Sequence, residues 1–565
     1  MSQGIKKGLT NYGDQDFSKY LRNSFAKSMG YSENILSRPV IGISYPPSGF
    51  NNCHRHFPEL LDAVKRGVLT AGGLPLEFPT ISLGEVFLSP TSLKFRNLMS
   101  MDVEEMIRAQ PMDTVILMGG CDKTIPAQLM GAASAGKPTV QLVAGPMMTG
   151  SYEGVRLGAC TDCRRFWGLY RSGEITKNQI DNIEDRLATT AGTCPVMGTA
   201  STMACVAETL GITLPGTATI PAVHADRIRA AEATGEIAVK LLQNQITPLK
   251  LITKKSVENA LRVVLAIGGS TNAIIHITAI AGRLGIKVSL ETLNKLSDTT
   301  PVLVNLKPTG QHYMEDFFSA GGLGAVLRQI KPLLHLECIN IFGQTLEERL
   351  KDEKNYTDHS VISSFDDPIE PEGGLVALFG TLAPSGAILK RSAADKSLFE
   401  KKGRAIVFNS LEDLSNRIDD PELNVSKNDF LILQNAGPKS VSGMPESGYL
   451  PIPKKLSKNG VKDMVRISDA RMSGTAFGTV ILHVSPESAV GGPLGLVRNG
   501  DEIQLSVKER KLDLLVPHEA LERRRQEKLN IESEINIPSR GYAKLYFEHV
   551  LQAEKGCDFD FLQFN

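Results

Sequence analysis

The sequence is poor in aromatics, 6% of its 565 residues, and carries no surplus charge of either sign: 62 lysines and arginines face 62 aspartates and glutamates. That balance removes any global pull toward nucleic acid or an anionic membrane surface and leaves a small metabolite as the best-fitting partner. No run approaches the roughly 20 apolar residues needed to cross a bilayer, and there is no fixed-period repeat or low-complexity tract to suggest a solenoid or a disordered chain. The stretch Met1–Lys7 lacks the apolar core of a signal peptide, and eight scattered cysteines in so long a chain do not make a secreted disulfide framework. A cytoplasmic, reducing compartment is therefore expected, where cysteines bind metal, catalyse or are simply buried.

Nucleotide motifs are missing too. No G-x-G-x-x-G fingerprint follows a strand, so a nicotinamide cofactor has no support. The stretch Gly131-Ala132-Ala133-Ser134-Ala135-Gly136-Lys137-Pro138 nearly spells a Walker A loop, but Pro138 stands where the magnesium-holding Ser or Thr belongs. There is also no G-x-S-x-G nucleophile elbow.

What is present is glycine, 51 residues of it, and enough chain for more than one domain. Together these indicate a turn-rich α/β enzyme. The stretch from Arg38 to Ser44 reads as a first strand running into the loop that carries Cys53, His54 and His56, with a helix from about Pro58 to Ala71. A second strand is expected from Leu76 to Ser82, with Glu85 beyond it. A third, from Asp113 to Leu117, ends in Gly119-Gly120-Cys121-Asp122-Lys123, and a fourth spans Thr139 to Ala144. The region from Gly158 to Lys177 has no clear period, Glu184–Thr190 looks helical, and Cys194 falls in a glycine-marked turn before a small-residue helix. Helices are expected over Asp226–Leu242, from Val257 into Gly269–His276, and over Tyr313–Ile330. From about Pro368 short strands separated by turns take over, which suggests a barrel-like second domain. The expected division is an N-terminal α/β domain, 1–367, with a parallel-type sheet between helices, and a C-terminal β-barrel-like domain, 368–565.

Chemistry in open α/β sheets sits at strand ends, and Cys121, Asp122 and Lys123 put a thiol, a carboxylate and an amine there together. Cys53, Cys121 and Cys194 each lie in a turn leading toward a helix. Three thiolates would leave one iron of an iron–sulfur group open as a Lewis acid, whereas a purely electron-transferring cluster is normally closed by four. Buried, inert cysteines are the competing reading. Glu85 and Asp122 are candidate hard-cation ligands or plain surface charges. Lys123, which as an ammonium cannot ligate a cation, either neutralises substrate charge or is carbamylated into a carboxylate-like ligand. Cys160 and Cys163 have the spacing of half a zinc site with no second pair. Cys205, Cys338 and Cys557 read as structural. Ser473 sits before Gly474 in a loop after a strand, as a bland turn or as a base beside a metal, and Glu446 is one more loop carboxylate.

Five runs converge on a known pattern: Gly119-Gly120-Cys121-Asp122-Lys123-Thr124, Gly192-Thr193-Cys194 with Met197–Met203, Ile267-Gly268-Gly269-Ser270-Thr271-Asn272-Ala273, Ser468-Asp469-Ala470-Arg471-Met472-Ser473-Gly474-Thr475, and Ser485–Pro493. In their order, and over about Arg38 to Val516, they resemble the dihydroxy-acid dehydratase/phosphogluconate dehydratase family, most closely its sugar-acid dehydratases of the L-arabinonate type. The resemblance implies that Cys53, Cys121 and Cys194 hold an iron–sulfur cluster, 2Fe-2S rather than 4Fe-4S. It also implies that Glu85, Asp122, a carbamylated Lys123 and Glu446 hold magnesium, and that Ser473 is the base. The implied activity is a hydro-lyase converting a polyhydroxy acid to a 2-keto-3-deoxy acid in a homodimer or homotetramer, with the branched-chain dihydroxy-acid reaction as the alternative. Three departures bear on substrate: the Cys53-His54-Arg55-His56 neighbourhood, the cysteine pair Cys160/Cys163 followed by Arg164 and Arg165, and the run Glu446-Ser447-Gly448-Tyr449.

Overall fold

Strand β1, Val40–Tyr45, is the centre from which the N-terminal half is laid out. It pairs in parallel with β2, Leu74–Pro79, on one side and with β3, Thr114–Gly119, on the other; β4, Thr139–Val143, pairs in parallel with β3, giving the order β2-β1-β3-β4. Here and below, the computed structural model describes residues 4–6, 12–353, 356–531 and 538–564. Parallel strands are covered on both faces, and the residues alternate accordingly. Ile41, Ile43, Ile116 and Met118 enter one core with Phe57, Leu60 and Val64, while Val40, Val115 and Leu117 enter another with Met99, Val103 and Ile107. Burying each such side chain contributes roughly 1.5–3 kcal/mol.

The first core is roofed by the helices Phe57–Thr70 and Ala225–Asn244, which approach so closely that a Cβ on Gly67 would lie 1.9 Å from the Glu232 carbonyl oxygen. The second is roofed by Leu93–Ala109. The result is the expected α/β/α arrangement with a parallel sheet. A short hairpin follows, β5 (Gly150–Tyr152) with β6 (Val155–Leu157).

The C-terminal half contains β7 (Val376–Leu378), β8 (Gly386–Leu389), β9 (Glu400–Phe408), β10 (Phe430–Leu433), β11 (Arg466–Ser468), β12 (Val480–Ser485), β13 (Glu502–Ser506) and β14 (Lys511–Leu514). They form one sheet in the order β14-β13-β9-β10-β11-β12-β8-β7. The two edges meet where Phe379, just past β7, bridges Lys511 of β14, so the sheet is a nearly closed barrel, as the strand-and-turn texture predicted. Ala405, Val407, Phe430, Ile432 and Ile467 fill its interior, and Ile406, Phe408, Leu431 and Leu433 form a separate outer core. The C-terminal tail returns to the first half: Asp558 pairs with Arg283, both fully buried, at 2.6 Å.

Several expected elements are displaced. The region from Gly158 that lacked a clear period contains the helix Thr161–Ser172, whose polar sequence buries little more than Phe166 on its apolar side. The helix expected over Glu184–Thr190 lies earlier, at Lys177–Glu184, because Thr176 and Gln179 form a capping box that fixes its start. The long pattern from Val257 is two helices, Lys254–Ala266 and Asn272–Gly282, parted at Gly268, which has φ +59°. Strands β8, β12 and β14 were not anticipated. Among the described residues no helix is long and apolar enough to cross a membrane.

Candidate active site

The third strand ends at Gly119 and the next helix begins at once with Cys121. Cys121 has φ +61°, a left-handed conformation that costs a non-glycine residue energy and so marks a position fixed by its surroundings. Gly120 is required by close approach: a Cβ there would lie 2.6 Å from the Ala144 Cβ and 2.9 Å from the His54 ring. His54 is buried. Its Nε2 accepts the Gly120 amide hydrogen at 3.1 Å while Nδ1 lies 2.9 Å from Ser82 Oγ and 3.0 Å from the Pro46 carbonyl. Burial lowers its pKa to about 4, so the ring is neutral and braces the cysteine turn. His56 is likewise engaged, with Nε2 2.9 Å from the Ala144 carbonyl.

Around that turn the predicted cysteines gather. Cys53, in the one-turn helix Asn52–His54 after β1, is buried and hydrogen-bonds to Cys121. Cys194 is separated from its helix, Thr199–Thr209, by four residues, yet its thiol is influenced by both Cys53 and Cys121. A fourth, Cys160, brings its Sγ to 3.1 Å from that of Cys194. As thiols they crowd one another: Cys121 is pushed well above the ordinary range by its bond to Cys53 and then by burial, and Cys194 by its bond to Cys160 and then by burial. Converging sulfurs, two of them buried and two half-buried, are the donor set an iron–sulfur group takes, so the residues fit it. Cys205 and Cys557 are buried away from the turn as expected, and Cys338 is half-buried.

The carboxylates form a second cluster beside the first. Glu85, Asp122 and Glu446 each offer an oxygen within 4.8 Å of the others. Lys123, fully buried, pairs with Asp122 and lies 3.9 Å from Glu85. Arg471 spans the remainder: Nη2 donates to both Glu85 oxygens at 2.9 Å, and Nη1 to Glu446 at 2.7 Å. Burial raises the Glu85 carboxyl, but Arg471 and Lys123 override it and hold the group down at about 2. Glu446 goes the other way: burial, with Glu85 and Asp122, outweighs the help of Arg471 and pushes it up. A trio of oxygen donors, one of them short of positive charge, fits a hard divalent cation.

Ser473 stands on the loop after β11. Its Oγ lies 2.8 Å from Thr475 Oγ1, which accepts from Arg164 Nη1 at 3.0 Å. The separate sequence runs meet at this loop. A Cβ on Gly474 would lie 2.7 Å from the Ser270 Cβ and from the Thr199 amide, and Asn272 Nδ2 donates to the Met472 carbonyl at 3.0 Å. Thr161 Oγ1 donates to the Thr475 carbonyl at 2.8 Å, which joins the serine loop to the turn carrying Cys160.

Every residue expected at the site is thus drawn to one of three adjoining groups. Arg471, Thr475, Arg164 and Cys160 were given no firm role by the sequence. For Arg471 no local signal existed, since its partner Glu85 is 386 positions away.

Models of the dihydroxy-acid/6-phosphogluconate dehydratase N-terminal and C-terminal regions match residues 38–349 and 360–557. The chain belongs to the dihydroxy-acid/6-phosphogluconate dehydratase family and is a dehydratase, a hydro-lyase. It is 45% identical to a 6-deoxy-6-sulfo-D-gluconate dehydratase of Pseudomonas putida over 94% of this chain and 92% of that one. It is 44% identical to an L-arabinonate dehydratase of Rhizobium leguminosarum bv. trifolii over 98% and 95%. A dihydroxy-acid dehydratase of Acetivibrio thermocellus is more distant, at 35% over 98% and 99%.

Proposed function

We propose that the protein dehydrates a sugar acid to a 2-keto-3-deoxy acid. The observation that carries this is the placing of Ser473 on a loop tied through Thr475 and Thr161 to the cysteine group, with Arg471 of the same loop tied to the carboxylates. Cys53, Cys121 and Cys194 would hold the iron–sulfur cluster, of the 2Fe-2S type, and Glu85, Asp122, Glu446 and a carbamylated Lys123 would hold magnesium. When bound, these groups supply Lewis acidity at the substrate carboxylate and at the C2 and C3 oxygens.

The chain's own residues do the rest. Ser473 Oγ, as the alkoxide, takes the proton from C2 and passes it to the departing C3 hydroxide, which leaves as water, and the resulting enol tautomerises to the ketone. Arg164 occupies a lone pair of Thr475, which leaves the threonine hydroxyl hydrogen free to stabilise a Ser473 alkoxide. Arg471 keeps Glu85 ionised. Carbamylation of Lys123 would turn a cation into an anion among three carboxylates and so increase the demand for a metal ion.

The relatives of higher identity bear names of sugar-acid enzymes and the more distant one that of a dihydroxy-acid enzyme. Arg164, half-buried beside Thr475 and without a carboxylate partner among the described residues, suits a polar substrate tail better than an apolar one. The test is dehydration by anaerobically reconstituted protein with magnesium, offered aldonic acids and 2,3-dihydroxy-isovalerate, with Ser473→Ala as control. Turnover of pentonates or hexonates that the variant abolishes is expected; turnover of dihydroxy-isovalerate alone would overturn the sugar-acid reading.

A further inference from the structure

Cys160 has no part in the reading above, yet its backbone is held in a conformation that needs a reason. Its φ of +78° and ψ of −52° are those of the rare, strained γ-turn, in a residue that is not glycine. Such strain persists only where the surroundings over-determine it, and they do. Asp162 accepts the Gly158 amide hydrogen at 2.8 Å and is itself fixed by Tyr313, Lys307 and Arg165. Arg164 donates to the Cys160 carbonyl at 3.1 Å, the Cys160 amide donates to Cys163 Sγ at 3.2 Å, and Thr161 is anchored to Thr475. All this rigidity delivers one thiol to 3.1 Å from Cys194. A cysteine serving only to fill space would not require it.

Resting on the iron–sulfur reading of Cys53, Cys121 and Cys194, we propose that Cys160 is a fourth protein thiolate on that cluster in the substrate-free enzyme, occupying the position that three cysteines leave open. Binding breaks the S–H bond and forms an Fe–S bond; the proton goes to solvent and no electron is transferred. Cys163, whose sulfur accepts the Cys160 amide hydrogen, supports the turn and is not a ligand. The arrangement closes the iron to water and dioxygen until substrate competes for it.

The test is Mössbauer spectroscopy of substrate-free holoenzyme reconstituted with 57Fe, beside Cys160→Ser and Cys163→Ser, with iron and sulfide determined on each. Wild type is expected to show only iron in all-sulfur tetrahedral sites. In Cys160→Ser, half of the iron of a two-iron cluster should move to the parameters of a site with an oxygen ligand, and cluster absorbance should bleach severalfold faster in air; Cys163→Ser should resemble wild type. An oxygen-ligated iron in substrate-free wild type would overturn the proposal even if the variants fail to fold, as would identical spectra of wild type and Cys160→Ser. Wild type that binds no iron and sulfide at all would instead sink the cluster reading on which the proposal rests, a distinguishable failure.

Discussion

Arg471 Nη2 lies 2.9 Å from each carboxylate oxygen of Glu85, although the two residues come from different halves of the chain. The guanidinium is fully buried and bonds as well to Glu446, Thr91 and the Met444 carbonyl, so all of its nitrogens are used. A planar donor fork of this kind cannot be replaced by a lysine ammonium.

Removing it leaves Glu85 and Glu446, each about one-fifth exposed, beside Asp122 with only Lys123 for compensation. Arg471→Gln is therefore expected to lower stability by about 3–5 kcal/mol, the usual result of breaking one side of a buried ion pair. The loss should be read as a fall in Tm of the metal-free protein, and Arg471→Lys should recover little of it. A Tm within a degree of wild type would show that the carboxylates are content without the arginine.

Thr475→Val keeps the shape of the side chain and removes only the hydroxyl that lies 2.8 Å from Ser473 Oγ. The serine alkoxide then loses a donor, its pKa rises, and the rising, acid-side limb of the kcat profile should move to higher pH, with kcat at neutral pH down by on the order of tenfold or more. KM should change little, because the ground state is not what the hydroxyl stabilises. An unshifted pH profile would assign Thr475 to packing alone.

Much of this site was readable before any coordinates. Short apolar runs around Ile41 and Ile116, ended by glycine-marked turns, announced the parallel sheet and therefore the strand ends where Cys53 and Cys121 stand. What could not be read was long-range and polar. The helix at Thr161–Ser172 is held by Asp162, Tyr313 and Lys307 as well as by Phe166, Leu169 and Tyr170, so its apolar period was faint and the approach of Cys160 to Cys194 was invisible. The edge-to-edge closure of the barrel depends on Phe379 reaching Lys511, a pairing across more than a hundred residues that no local propensity encodes.

Lys390 makes the same point through electrostatics. Nothing in its neighbourhood in sequence marks it, yet it is fully buried at the end of β8 with no carboxylate partner among the described residues; its Nζ reaches only the Gly474 carbonyl, at 3.4 Å, directly behind Ser473. Burial lowers its pKa from 10.5 to about 7. Between pH 7 and pH 10.5 the unfolded chain binds a proton that the folded one does not, so this group makes folding more favourable as pH rises through that window; at and below pH 7 its cost is largest, on the order of 5 kcal/mol. Lys390→Met, of similar length and without charge, removes the cost. The variant should be more thermostable than wild type at pH 7, and the difference in Tm should shrink steadily toward pH 10, whereas other titrating groups act equally on both proteins and cancel. A difference that does not vary with pH would mean that Lys390 keeps its proton in the fold and has found a counter-charge there.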